Sequence, residues 1–186
     1  MATAPRYVGY IAQSLDGYIA TPDGGVGWLD PFNAALAECS CEDAGGYNTF
    51  IEEVDAVLMG RATYRQVIGW GWPYGDRAGY VLTHRHDYKG DHITAAGPID
   101  GLRAAIEANG HQKVWIMGGG ETQRAALDVG MFDEISVFVM PTILGDGLPC
   151  FAKGAQQNLT LKTSSQKPGG ILQLDYDIAG PPSEAT

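Results

Sequence analysis

Basic residues are scarce in this chain. Its 186 residues include 12 lysines and arginines against 22 aspartates and glutamates, a formal charge of −10. Nucleic-acid binding draws its affinity from cations that displace counterions from phosphates, so the composition argues against that class. An anionic membrane surface is disfavoured for the same reason. Cysteine is also rare: Cys39, Cys41 and Cys150 form an odd set with no disulfide framework, which reads as reduced thiols. No uninterrupted apolar run approaches the roughly 20 residues that span a bilayer. The opening Met1–Arg6 stretch is not followed by a signal-type apolar core. A soluble, cytoplasmic protein that meets a small molecule, rather than nucleic acid or membrane, is expected.

What is present is ordinary for a globular domain: 45% apolar and 18% charged residues. The length favours one domain, expected over residues 1–180, with a disordered tail at 181–186. Tyr7–Ala12, Ala56–Met59, Gly79–Thr83, Lys113–Met117 and Glu134–Met140 read as buried strands, and His92–Ala95 as a weaker one. Helices are predicted over Thr63–Ile68, Pro98–Asn109 and Glu121–Val129, with a further helical stretch within Ser40–Glu53 that Gly45-Gly46 interrupts. Thr21–Gly27 is loop, closed by Trp28–Pro31. Leu159–Thr163 and Ile171–Asp177 form a predicted hairpin around Pro168-Gly169-Gly170. Strands alternating with helices imply an α/β fold with a mostly parallel sheet, and the final hairpin implies an antiparallel edge.

Two segments put glycine where a strand becomes a helix. In Val57–Tyr64, Gly60 is followed by Arg61 and a helix start. Its free N–H groups and the guanidinium suit an anion. An ordinary β–α turn with a surface arginine fits the same residues. In Trp115–Thr122, Gly118-Gly119-Gly120 is bare backbone that can cradle a pyrophosphate or simply pack strand against helix. The two strengthen each other, because ligands of open α/β sheets bind at the carboxyl ends of strands. Thr83, His84 and Arg85 supply a third such strand end with hydroxyl and basic groups.

In ordered motifs the chain resembles the dihydrofolate-reductase-like superfamily, in the branch of the C-terminal reductase domain of bifunctional riboflavin-biosynthesis proteins. Tyr10–Ala20 is similar to that family's opening strand and S-x-D-G-x-I-A turn, and Leu58–Tyr64 to its M-G-R-x-T-Y segment. Ile116–Gly120 is similar to its G-G-G strand end, and Pro141–Gly147 to its late P-x-x-x-G-x-G loop. The resemblance covers about residues 6–178. It implies a mostly parallel central sheet of about eight strands, and NADPH as cofactor. By matching position, Ala12 and Ile19 would line the nicotinamide pocket. Gly60, Arg61, Ala62 and Thr63 would hold the pyrophosphate and adenosine side. Thr83, His84 and Arg85 would meet the 2′-phosphate. Met117, Gly118, Gly119, Gly120, Glu121, Thr122 and Gln123 would close over the cofactor's centre.

Reduction of a C=N or C=O group also needs a proton. The family places an acidic residue on the helix before the M-G-R segment, and Asp43 lies at about that distance. Asp30 is a second candidate, both being equally readable as solvent-facing helix-start charges. Tyr47 is placed to hydrogen-bond or stack on a substrate ring. Trp28, Trp70, Trp72 and Tyr74 divide between core and pocket wall. Cys39-x-Cys41 and His84-x-His86 lack the further ligands a structural zinc needs, so no metal is expected. The expectation is an NADPH-dependent reductase of a pterin, pyrimidine or related heterocycle, in a homodimer, the commonest soluble oligomer. Reduction of a phosphoribosylaminouracil ranks below it, because a phosphorylated substrate wants more basic groups than this chain offers. A nucleotide-binding regulatory protein without turnover, or a sheet-edge dimer with a structural role, are the non-enzyme alternatives.

Overall fold

The structure, a computed structural model, describes residues 4–39, 43–85 and 87–180. The expected tail at 181–186 lies outside the described residues, as do Cys41 and His86. The elements run β1 (Arg6–Ser14), β2 (Tyr18–Ala20), α1 (Asp30–Glu38), α2 (Tyr47–Glu53), β3 (Ala56–Gly60) and α3 (Arg61–Gly69). There follow β4 (Ala78–Leu82), β5 (Ile93–Gly97), α4 (Ile99–Ala108), β6 (Lys113–Gly118) and α5 (Gly120–Asp128). β7 (Glu134–Met140), β8 (Leu148–Pro149), β9 (Leu159–Lys167) and β10 (Ile171–Ile178) complete the order.

An eight-stranded sheet has the order β5-β4-β3-β6-β1-β7-β10-β9. Six strands, from β5 to β7, are mutually parallel; β10 runs antiparallel to β7 and β9 antiparallel to β10. β2 and β8 form a separate two-stranded antiparallel sheet. The parallel sheet and the antiparallel closing edge therefore match the expected α/β architecture.

Side-chain alternation sorts the layers. Leu58, Val114, Ile116 and Ile135 pack on one face, under Leu102 and Ile106 of α4 and Ala126 and Leu127 of α5. Val57, Met59 and Trp115 pack on the other, under Tyr64 and Val67 of α3 and Phe50 and Ile51 of α2. α1 extends that second layer through Phe32 and Leu36 against Phe138 and Met140.

Two details differ from the sequence expectation. Asp30-Pro31 begins helix α1 instead of closing a loop; proline fits the first helical turn because the N–H it lacks has no intrahelical partner there. Within Ser40–Glu53 the described helix is only Tyr47–Glu53, since Gly46 holds a left-handed φ of 76° at its start.

A candidate cofactor and substrate cleft

The two glycine turns stand side by side. Met59 is in register with Gly118, so the tip of β3 adjoins the tip of β6. Each tip feeds a nine-residue helix, α3 and α5, and neither helix start is capped by a side chain. The first N–H groups of both helices lack intrahelical acceptors and carry the positive end of the helix dipole. Thr63 Oγ1 accepts the Gly119 N–H at 3.0 Å and joins the two turns. Gly118 has φ +110°, a conformation that favours glycine, and the Gly118–Gly119 peptide is cis. At Gly120 a Cβ would stand 2.3 Å from the Pro149 carbonyl oxygen, so the loop carrying β8 closes directly on bare backbone.

A cleft of about 990 Å³ opens along these tips. Of the residues assigned to a cofactor from sequence, Ala12, Ile19, Gly60, Arg61, Ala62, Thr63, Thr83, His84 and Arg85 line it, as do Met117, Gly119, Gly120, Glu121 and Thr122. Two are not among its lining. Gly118 shapes the turn instead, and Gln123 is buried with its side-chain N–H directed to Cys150 Sγ at 3.9 Å. In sheet order the lining begins at Thr83–Arg85 beyond β4, continues through the tips of β3 and β6, and ends at Ala12 of β1. Three strand spacings separate β4 from β1, about 14 Å.

The cleft has a second arm. Thr63, Gln66, Val67 and Trp70 line it at the i, i+3, i+4, i+7 spacing of one helical face. Opposite stand Tyr10, Tyr74 and Trp115. The Gln66 side-chain amide donates to the Gly24 carbonyl at 3.1 Å, so the loop after β2 is tied across to α3. Of the four aromatics weighed from sequence, Trp70 and Tyr74 line the cleft. Trp72 instead stacks on His92, and Trp28 packs with the α1 layer. Gln66, Asp23 and the Leu148-Pro149 edge are lining residues that sequence reading missed. Gln66 carried a signal, one helical turn beyond Thr63.

The candidate proton donors lie elsewhere. Asp43 is not among the lining residues; its carboxylate accepts the Asn48 and Thr49 N–H groups, each at 2.9 Å, at the start of α2. The Thr49 N–H bond holds its carboxyl below the usual range, so Asp43 stays ionised. Asp30 is exposed in the first turn of α1 and is also absent from the lining. Tyr47 does not line the cleft but meets two lining residues edge-on, Tyr10 at 5.9 Å and Trp115 at 6.2 Å between ring centroids. Burial raises its phenol pKa.

The late motif loop docks on the first turn. Asp16 Oδ1 and Oδ2 accept the N–H groups of Leu144 and Gly145 at 3.1 and 2.7 Å, and Cys150 donates its N–H to the Gly17 carbonyl at 2.9 Å. These contacts hold β2 and β8 along the β1 side of the cleft.

The chain matches the RibD C-terminal domain family over residues 8–172. It is 34% identical over 173 residues to the uncharacterized protein YwjB of Bacillus subtilis (strain 168), covering 90% of this chain and 94% of that one. Among solved structures it is similar to a Shewanella sp. PV-4 protein provisionally assigned to riboflavin biosynthesis, at TM-score 0.79 and 26% identity, with 94% and 99% of the two chains covered. A dihydrofolate reductase from Enterococcus faecalis, solved with NADP(H), shares the fold at TM-score 0.61 and 15% identity, covering 96% and 99%.

Proposed function

The chain belongs to the RibD C-terminal domain family, and on that premise we propose that it is an NADPH-dependent reductase of a heterocyclic substrate. One observation carries the reading: two uncapped helix starts, α3 and α5, meet at adjoining strand tips on a single cleft. Such a pair offers converging N–H donors and two dipole ends to a pyrophosphate. Arg61 lines the cleft at the same tip. His84 and Arg85, at the tip of β4, supply the cationic group a 2′-phosphate needs. The residues present therefore fit NADPH.

When bound, NADPH supplies a hydride. The chain's own residues bind, orient and exclude water. Ala12 and Ile19, at the β1 end, offer a flat apolar wall for a nicotinamide, and the aromatic arm beyond them leaves room for a second ring. Asp43 is committed to capping α2, and we assign it no part in proton transfer.

Calorimetric titration of the pure protein tests the reading. NADPH should bind with a one-to-one stoichiometry and more tightly than NADH. Absence of uptake for both dinucleotides would falsify it, and uptake without NADPH oxidation across a broad substrate panel would favour the non-enzymatic alternative.

A further inference from the structure

The cleft's charges are unevenly divided between its two arms. Its cations among the described residues are Arg61, His84 and Arg85, all at the tips of β3 and β4. Beyond Arg61 at the start of α3, the arm formed by that helix and the sheet face opposite has no lysine, arginine or histidine among its described lining residues. Past Arg61, the one formal charge among them is negative. Asp23 stands on the loop after β2, where a hydrogen bond from the Thr21 hydroxyl and another from the Gly25 N–H at 3.3 Å bind its carboxylate. Those bonds, the hydroxyl first, hold the carboxyl below its usual pKa, so the charge is present at neutral pH.

Two nearby cations are committed elsewhere, while Arg65 of α3 is exposed and does not line the cleft. Arg77 gives its guanidinium to the backbone carbonyls of Ile51, Val54 and Tyr74. Lys113 pairs with Glu53 and lies 5.9 Å from the Phe50 ring. Neither lines the cleft.

Much of the remaining lining of this arm is aromatic. Trp70 is 60% exposed at its lip, a large aromatic surface left to solvent. Trp115 is 6% exposed, and its indole N–H has no hydrogen-bond partner among the described residues. The neighbouring Tyr74 hydroxyl donates only to the soft Met117 Sδ, at 3.3 Å.

We infer that the substrate of this cleft is a planar, phosphate-free ring compound, neutral or cationic, that stacks under Trp70. A phosphorylated ring would have to leave its dianion beside Asp23, with no described lining cation past Arg61, at the far end of the arm, to receive it. This rests on the reductase reading, because it assigns the cationic tips to the dinucleotide and leaves the second arm to the substrate.

The test uses matched pairs of rings that differ by an anionic group: uridine and uridine monophosphate, riboflavin and flavin mononucleotide, 1,4-naphthoquinone and its sulfonate. Each is titrated into the protein saturated with NADPH, read by quenching of tryptophan fluorescence and by calorimetry. At least one uncharged ring should bind, at least tenfold more tightly than its anionic partner, and no pair should be reversed. D23K should narrow that ratio. W70A should weaken the uncharged ring several-fold and reduce quenching while NADPH binding is retained. Tighter binding of any anionic member, or binding of none of the uncharged rings, overturns the inference. The NADPH titration alone decides the reductase reading, so the two failures are separable.

Discussion

The backbone N–H of Gly119 donates to Thr63 Oγ1 at 3.0 Å, and this bond ties the start of α5 to the first turn of α3. The two helix starts are thereby fixed relative to each other. T63V removes the acceptor while keeping the shape. A neutral hydrogen bond contributes about 1 kcal/mol, so the Kd for NADPH should rise roughly fivefold. T63S should restore it. An unchanged Kd for T63V, measured by calorimetry, would show that the tie has no part in binding.

Arg85 is the residue most exposed to a test of cofactor choice. A hydrogen bond to a charged group is worth about 1.5–3 kcal/mol. R85A should therefore lose roughly 10- to 150-fold in NADPH affinity and leave NADH within about twofold. Equal losses for both dinucleotides would place Arg85 away from the 2′-phosphate.

Gly120 should not tolerate a side chain. Its Cβ would meet the Pro149 carbonyl oxygen at 2.3 Å, and backbone there has little freedom to yield. Overpacking of this kind costs about 1–3 kcal/mol. G120A should lower Tm by about 3–10 °C, read by scanning calorimetry, and a variant as stable as the parent would mean the β8 loop is loosely held.

Asp43 gives a pH prediction whose sign follows from its depressed pKa. A carboxyl that is more acidic folded than unfolded adds stability above its unfolded pKa of about 3.9. That contribution is lost as pH falls through the folded value. D43A should be less stable than the parent at pH 7, by about 1 kcal/mol as for other lost helix caps, and the gap should narrow in acid. Parallel stability curves across that range would contradict the capping role.

The thiol of Cys150 is pushed up to about 12 by burial. The thiolate is the reactive form, so iodoacetamide at pH 8 should leave Cys150 unmodified in the native protein and label it after denaturation. Peptide mass mapping reads the site directly. Rapid native labelling would show that the loop after β8 opens readily.

The legible parts of this protein were those written in local pattern. Apolar strands, the glycines at the ends of β3 and β6, and the Pro168-Gly169-Gly170 turn all declare themselves within a few residues, and they yielded the sheet and much of the cleft lining. Asp43 shows where local reading stops. Its distance before Arg61 suggested chemistry, but the left-handed turn at Asp43 and Gly46 aims its carboxylate at the N–H groups of α2. Gln66, Asp23 and Pro149 reach the cleft through a long-range fold: a loop tied to α3 and a second small sheet laid over Gly120. No residue pattern near Asp23 or Pro149 encodes that meeting; Gln66 alone carried a local signal, one helical turn beyond Thr63.

The position of β1 has a consequence for how the chain is made. β1, synthesised before both of its neighbours, lies between β6 and β7, pairing Arg6 with Lys113 and Val8 with Glu134. A nascent chain therefore carries an apolar strand with both edges open until those two strands have been made. Such distant pairings fold slowly and expose sticky intermediates. Chaperone demand during synthesis should accordingly fall only once β7 has emerged.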